Sequence, residues 1–213
     1  VLGPFAHRTP EDLMTMDFDP DALDPALRHN PIKAMVAPRP IGWLSTLSPD
    51  GAVNLAPYSF FNLVCDAPYM VMFATSGHKD SFNNVRATGE FVWNLVSEDL
   101  CEAMNTSAGS AAPGVDEFEL AGLEKAASRC VAPPRVARAR AALECQLDQI
   151  VDLKSDDPTR RNSLVIGTVR SVFIADGAIV DGRFDAAGVR PLARLGYRDY
   201  AVIEKIFELQ RPS

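Results

Sequence analysis

Alternating apolar and polar positions predict β-strands over much of the chain from residue 41 onward. The run Ile41–Leu47 leads into Ser48–Gly51, a Ser-Pro-Asp-Gly sequence typical of a tight turn. Ala52–Leu55 then returns, so this segment predicts a hairpin. Tyr69–Ala74 is continuously apolar, which is typical of a strand covered on both faces.

Three further strands are predicted later in the chain. Phe91–Val96 alternates, and Leu143–Leu147 alternates so that Glu144 is expected to point away from the core. Ser163–Ile174 is the longest strand candidate, and its interior Gly167 predicts a bend or bulge, as at a barrel corner.

The predicted helices are few and short. They cover Ser81–Ala87, Glu98–Met104 with Ser97 as the expected cap, and Asp116–Ala121. About six strands with a few short helices favour a mainly β (α+β) fold built on a small barrel over a doubly wound sheet.

The first thirty residues are rich in Pro and Asp and show no clean period. We therefore expect residues 1–30 to form an arm, in part disordered, before a single domain over residues 31–213. Residues 1–15 are treated as an upstream extension that does not contribute to the fold.

Charge and composition exclude several classes of partner. The net charge is −7 and the basic residues are dispersed, so we expect neither nucleic acid nor an anionic membrane surface to bind. No apolar stretch has the length of a membrane helix, and the four cysteines are far apart, which favours a cytoplasmic protein with reduced thiols. Three isolated histidines predict no metal site.

The junction after the apolar strand is the first candidate site. The predicted strand ends at Ala74, a small polar turn that includes Thr75 follows, and a helix begins near Asp80 or Ser81. A helix start offers unpaired N–H groups and partial positive charge to a phosphate, and Lys79 adds a full charge. The alternative is that Asp80 or Ser81 merely caps the helix while Lys79 is solvated.

A second polar cluster covers Asn54–Asn62, where Pro57 is expected to break or kink a strand. The exposed backbone of such a strand could pair with a flat heteroaromatic ligand, and Ser45 and Thr46 could line the same pocket. The alternative is an irregular strand whose aromatic residues are core. No motif for a serine hydrolase, a Rossmann fold or a P-loop is present.

Several blocks of sequence in consistent order resemble the flavin reductase-like, FMN-binding split-barrel family. They are Arg39–Thr46 (RPIGWLST), Asn54–Phe61 (NLAPYSFF), Lys79–Asn84 (KDSFNN), Thr88–Phe91 (TGEF), Asp116–Leu123 (DEFELAGL) and Arg194–Gly196 (RLG). The resemblance covers about residues 30 to 200. It implies a six-stranded antiparallel Greek-key split β-barrel that forms a homodimer, with FMN near the subunit interface.

The resemblance also implies one elongated cofactor site. Its expected residues are Leu44, Ser45, Thr46, Ala56, Pro57, Tyr58, Ser59, Phe60, Thr75, His78, Lys79, Asp80, Ser81, Asn84 and Arg194. Of these, the segment from His78 to Ser81 is expected to hold the phosphate.

The function implied is an FMN-dependent oxidoreductase of the flavin reductase type. It would transfer hydride from NADH or NADPH to flavin and could serve a partner monooxygenase, and no catalytic side chain is required because the cofactor carries the chemistry. Alternatives are a non-catalytic FMN-binding protein and an oxidoreductase with another donor. For the 2′-phosphate of NADPH the sequence offers only nominal candidates, which are Arg135, Arg138, Arg160 and Arg161.

Overall fold

The computed structural model describes residues 17–77, 79–109 and 115–212. The strands in chain order are β1 Arg39–Pro40, β2 Gly42–Leu47, β3 Val53–Tyr58, β4 Phe61–Asp66, β5 Tyr69–Ser76, β6 Glu90–Asn94, β7 Lys125–Ala126, β8 Arg135–Val136, β9 Ala141–Leu153, β10 Asn162–Ile174, β11 Ile179–Val180, β12 Arg183–Phe184, β13 Leu192–Arg194 and β14 Tyr200–Val202. The helices are α1 Ile32–Met35, α2 Asp80–Thr88, α3 Cys101–Thr106, α4 Glu117–Leu120 and α5 Ala186–Val189, with 3₁₀ turns at Glu98–Leu100 and Asp176–Ala178.

Seven antiparallel strands form the main sheet in the order β3-β2-β6-β9-β10-β5-β4. Its two edge strands, β3 and β4, follow each other in the chain and are joined only by Ser59 and Phe60. The N–H of Ala74 in β5 donates to the carbonyl of Phe60 at 2.9 Å and extends the β4–β5 pairing into this link. The chain thus passes from one edge of the sheet to the other through two residues, so the sheet curves into a barrel whose edges approach each other at this corner. The fold is mainly β, as the sequence predicted, with one strand more than the six expected because β4 adds to the outer side of β5.

Two hydrophobic cores lie on opposite faces of β2 and β3. The barrel core includes Leu44, Tyr58 and Phe73, and helix α2 contributes Phe82 and Val85 to it. The outer core gathers Trp43, Leu55, Leu100, Met104 and Phe118, so helices α3 and α4 pack on the outside of the barrel. Strand β3 therefore runs between α2 on one side and α3 and α4 on the other.

The predicted hairpin is confirmed, but Pro57 does not break its second strand. Strand β3 continues through Pro57, which pairs with Trp43 of β2. The prediction was wrong because it assumed a central strand, whereas β3 pairs only with β2 in this sheet. A proline on an edge strand does not remove a ladder hydrogen bond.

Burial differs from the sequence expectation at strand β5 and at Glu144. Strand β5 is fully covered on one face only, because Val71, Phe73 and Thr75 are buried while the residues between them are half-buried. Glu144 does point away from the barrel core, which Leu143 and Cys145 contact, but it is only 3 % exposed. Its two carboxylate oxygens accept hydrogen bonds from the N–H groups of Arg129 and Cys130, so a loop covers the carboxylate and satisfies it.

Two predictions that rest on glycine residues, the bend at Gly167 and the helix cap at Gly89, are confirmed. The β9–β10 pairing shifts register between Ile166 and Gly167, and helix α2 ends at Gly89 in the left-handed region with a φ of 77°. Ser97 stands at the start of the 3₁₀ turn as expected, but its hydroxyl bonds to Asp99 and caps no N–H group. No helix in the described ranges is long and apolar enough to cross a membrane.

Candidate functional site

A groove runs along β3 and is formed by two adjoining cavities. One of about 300 Å³ lies between Asn54, the start of α2 and the segment after α3. The other, of about 200 Å³, extends toward Ser59 and Arg194. Both are lined by Pro57, Tyr58 and Ala108, so the two parts are continuous and give one elongated site.

The start of helix α2 forms one end of this groove. Lys79 precedes the helix in an extended conformation, and its side chain makes no capping hydrogen bond. Its ammonium group is exposed and forms no salt bridge with any residue in the described ranges. A helix start together with a free cation favours an anion such as phosphate at this end, although Asp80 lies in the same turn.

Four buried polar side chains form a network behind this end. The hydroxyl of Thr46 accepts hydrogen bonds from the amides of Asn54 and Asn84, at 3.2 and 3.1 Å. The Asn54 amide also donates to the hydroxyl of Ser81 at 2.8 Å. The network ties β2, β3 and α2 together and fixes the position of Ser81 in the first turn of the helix.

Tyr58 has an unusual hydroxyl group. It is a buried side-chain oxygen that lacks a hydrogen-bond partner in the part of the chain that the structure describes. Burial raises the pKa of this phenol above its usual value of 10.0, and the nearby hydroxyls of Ser81 and Thr75 act in the opposite direction. The phenol therefore lies beside Ser81, at the start of α2, and beside Thr75.

The other end of the groove is cationic and aromatic. Arg194 lines it, with its guanidinium group 4.5 Å from the centre of the Tyr200 ring. Arg39 is the cross-strand partner of Arg194 and lies behind Ser59, to whose carbonyl it donates at 3.2 Å. The guanidinium group of Arg39 also donates to three other carbonyls, so it is held within the structure.

The segment after α3 forms the outer wall of the groove. Ser107 to Gly109 line the larger cavity. The hydroxyl of Ser107 accepts a hydrogen bond from the indole N–H of Trp43 at 2.9 Å and donates to the carbonyl of Met104. The outer core thereby fixes the beginning of this wall against β2.

The structure brings most of the predicted site residues together. Those that line the groove are Ala56, Pro57, Tyr58, Ser59, Lys79, Asp80, Ser81 and Arg194. Thr46 and Asn84 support it through the buried network, and the hydroxyl of Thr75, which donates to the carbonyl of Gly77, lies close enough to Tyr58 to influence its pKa.

Three predicted residues lie elsewhere, and one lies outside the described residues. Leu44 is in the barrel core. The hydroxyl of Ser45 donates to the carbonyl of Pro134. Phe60 is 48 % exposed, near Lys33 and Arg39, because a two-residue link between edge strands turns its ring outward. His78 lies outside the described residues.

The four arginines considered as binding residues for the 2′-phosphate of NADPH do not line the groove. Arg135 stacks on Phe173 with its guanidinium 3.6 Å from the ring centre, and Arg138 pairs with Asp99. Arg160 and Arg161 follow the end of β9 in the turn before β10. The arginine that does line the groove is Arg194, which comes to this place through its pairing with β1 and β14.

The expected site residues did not include four polar residues that line the groove, which are Asn54, Ser107, Glu117 and Tyr200, although Asn54 lay in the second polar cluster of the sequence. By its position in the sequence Glu117 is an acidic residue at a helix start, but Asp116 caps this helix by accepting from Phe118 N–H. The carboxylate of Glu117 instead accepts from Leu55 N–H at 3.0 Å and lines the larger cavity. No local pattern separates these two acids, because only the packing of α4 on β3 brings Glu117 to the groove.

The family model described as "Flavin reductase like domain" matches residues 35–190. This chain belongs to the flavin reductase-like family. A protein of Aquifex aeolicus is 36 % identical over 192 residues, covering 87 % of this chain and 94 % of its own length. The Bacillus subtilis protein YwrF is 32 % identical over 203 residues, covering 92 % and 98 %.

Solved structures of flavin reductase-like proteins resemble this one along nearly the whole chain. Nitrilotriacetate monooxygenase component B from Bacillus cereus superposes with a TM-score of 0.85 at 28 % identity, covering 92 % of this chain and all of that one. The 2-nitrobenzoate 2-nitroreductase NbaA of Pseudomonas fluorescens has a TM-score of 0.81 at 27 % identity, covering 93 % and 97 %. An FMN-binding protein from Thermus thermophilus, at 15 % identity and a TM-score of 0.71, covers 92 % of this chain and all of that one and shares the fold.

Proposed function

We propose that this member of the flavin reductase-like family is an FMN-dependent oxidoreductase that takes hydride from NADH or NADPH. The observation that carries the proposal is the continuous groove along β3, with Lys79 and the start of α2 at one end and Arg194 and Tyr200 at the other. Such a groove suits a ligand with one terminal phosphate and a flat ring system.

The residues present fit FMN at the helix end. The orphaned hydroxyl of Tyr58 lies next to Ser81, and Lys79 adds a positive charge at the same place. A phosphate would supply the acceptor that Tyr58 lacks, since a buried hydroxyl without a partner costs about 1–3 kcal/mol. A single helix start and a single lysine suit one phosphate group, which favours FMN over FAD.

The protein contributes position and electrostatics in this proposal. FMN, when bound, supplies the hydride-accepting chemistry, so no acid, base or nucleophile from the chain is required. Ser59 and the aromatic side chain of Tyr200 line the end where the ring system would lie. The buried cation Arg39 behind Ser59 and the guanidinium of Arg194 would favour negative charge on that ring system.

Two acceptors for the electrons are compatible with this site. The structural likeness to a monooxygenase component B supports delivery of reduced flavin to an oxygenase partner. The likeness to a nitroreductase supports a second candidate, in which the bound flavin reduces a small organic substrate directly. A non-catalytic FMN-binding protein is the third outcome that an experiment has to separate.

Anaerobic titration of the purified, FMN-loaded protein tests the proposal. We expect the yellow flavin absorbance to bleach on addition of NADH or NADPH, and the faster of the two identifies the donor. Reoxidation by free flavin, rather than by a nitroaromatic compound, would identify the flavin reductase activity. A flavin that neither nucleotide bleaches would contradict the enzyme proposal and favour a cofactor carrier.

A further inference from the structure

A carboxyl group lines the cavity that we propose for the phosphate. Glu117 of α4 is 8 % exposed and borders the larger cavity together with Lys79, Asp80 and Ser81. Its Oε2 accepts the hydrogen bond from Leu55 N–H, on the side of β3 that no strand of the sheet covers. The carboxyl group of Glu117 therefore accepts the hydrogen bond of an N–H group at a strand edge and also lines the cavity.

The charges that face Glu117 are mainly negative. These are Asp116, which precedes the helix of Glu117, and Asp80 of α2. Lys125 of β7 is paired with Asp116, and Lys79 is an exposed residue that lines the cavity. Burial first, and then the two aspartates, raise the pKa of Glu117, while the N–H of Leu55 acts in the opposite direction.

We propose that Glu117 meets the FMN phosphate as the neutral acid, so that cofactor binding takes up a proton at this residue. This inference rests on the proposed function. The carbonyl-type oxygen of the acid still accepts from Leu55 N–H, and the protonated oxygen becomes a donor that a phosphate can use. If Glu117 stayed ionised, the phosphate would meet two carboxylates, Glu117 and Asp80, against the single charge of Lys79.

The direction of the pH dependence follows from linkage. A bound anion disfavours the ionised form of a neighbouring carboxyl group, so the pKa of Glu117 is higher in the complex than in the free protein. Between these two pKa values the protein takes up one proton with FMN, and affinity falls by up to about tenfold per pH unit as the pH rises. Outside this window Glu117 contributes no pH dependence.

The substitution Glu117→Gln imitates the neutral acid at every pH, because the amide accepts from Leu55 N–H and can donate into the cavity. FMN affinity is measured by quenching of flavin fluorescence across the acidic to mildly alkaline range. We expect the ratio of the wild-type to the Glu117→Gln dissociation constant to be near one at low pH. At high pH it should rise to about tenfold or more.

The second ionisation of the FMN phosphate cancels in this ratio, since both proteins bind the same ligand. Glu119→Gln, an exposed change on the same helix, is the matched control and should follow the wild type. Riboflavin, which has no phosphate, should give a ratio that does not change with pH.

Calorimetry in two buffers of different ionisation heat measures the proton directly. We expect the wild type to take up a proton with FMN and none with riboflavin, and Asp80→Asn to keep the uptake. These two measurements do not depend on Glu117→Gln being able to fold. FMN binding without proton uptake, or an uptake lost in Asp80→Asn, overturns this inference alone. A wild-type protein that binds neither flavin overturns the proposed function as well.

Discussion

At the scale of single residues, the groove is built from side chains that hold one another in place. Thr46, Asn54, Ser81 and Asn84 are all buried and hydrogen-bonded in one network, which is what buried polar groups require. The hydroxyl of Tyr58 is the exception among the described residues. A polar group left without a partner in an otherwise satisfied network indicates where a ligand supplies the missing bond.

Tyr58→Phe should therefore weaken FMN binding without lowering the stability of the fold. Removing a buried hydroxyl that has no partner is expected to leave the free energy of unfolding unchanged or to raise it by about 1 kcal/mol. FMN affinity should fall by about three- to tenfold, because a hydrogen bond to the phosphate is lost. Urea unfolding and FMN titration measure the two effects. Tyr69→Phe, on a side chain that is 60 % exposed, is the control for the same chemical change.

Lys79→Ala tests the anion site independently. A charge-assisted contact to phosphate contributes about 1.5–3 kcal/mol, so FMN affinity should fall by roughly 10- to 150-fold. Riboflavin should bind the variant and the wild type equally, and turnover at saturating FMN should be nearly unchanged because the phosphate is remote from the reacting ring. Lys154→Ala removes the same charge from a fully exposed side chain and should change none of these. Equal losses for FMN and riboflavin would reject the phosphate role of Lys79.

At the scale of elements, β9 and β10 are thirteen residues each and form the longest pairing in the sheet. Their register shifts at two places, next to Gly167 and between Val169 and Ser171. A Cβ atom at Gly167 would lie 2.5 Å from the ring of Phe91, which is fully buried in the barrel core. The glycine is thus required by the close approach of an aromatic ring to a bent strand.

Gly167→Ala is expected to destabilise the barrel. The added methyl group has no room beside Phe91, and overpacking of this kind costs about 1–3 kcal/mol in the free energy of unfolding. Gly177→Ala is the matched control, because no atom lies within 4 Å of a Cβ there and no positive φ is involved. Chemical denaturation of both variants makes the comparison. An unfolding midpoint of Gly167→Ala equal to that of the wild type would show that the ring moves aside without cost.

At the scale of the whole molecule, the barrel exposes apolar side chains along an open sheet edge. Leu63 and Val64 of β4 are 52 and 48 % exposed, and Met35 and Val36 at α1 are more exposed still. An edge strand with exposed apolar side chains invites pairing with another chain. A second copy of this chain is the partner that we propose, since symmetric dimers are the commonest soluble assembly.

Light scattering should therefore give a particle of twice 23.1 kDa. Val64→Lys places a charge on the β4 edge and is expected to weaken the dimer, because lysine on an edge strand opposes pairing. A particle of 23.1 kDa with flavin fully bound would contradict the dimer. A variant that dimerises as tightly as the wild type would place the interface on another face.

The sequence by itself determined the class of fold and the residues of the helix end of the groove. Turn residues at Ser48–Gly51 and the glycine cap at Gly89 act through local backbone preferences, so they can be recognised in the chain alone. The strand ending before Lys79 and the helix starting after it are likewise adjacent in sequence. Their order along the chain, and hence the placement of Lys79 before the helix start, follows without knowledge of the rest of the molecule.

Only the tertiary structure decided which residues from distant segments reach the groove. Glu117 and Glu144 look like ordinary surface acids, yet backbone N–H groups at Leu55 and at residues 129–130 bury and satisfy them. Pro57 stays in a strand because β3 lies at an edge, and sheet order is a long-range property that no window of sequence contains. Burial and strand pairing depend on contacts between segments far apart in the chain, so only the tertiary structure decides them. Helix caps and turns depend on neighbouring residues, so the sequence alone determines them.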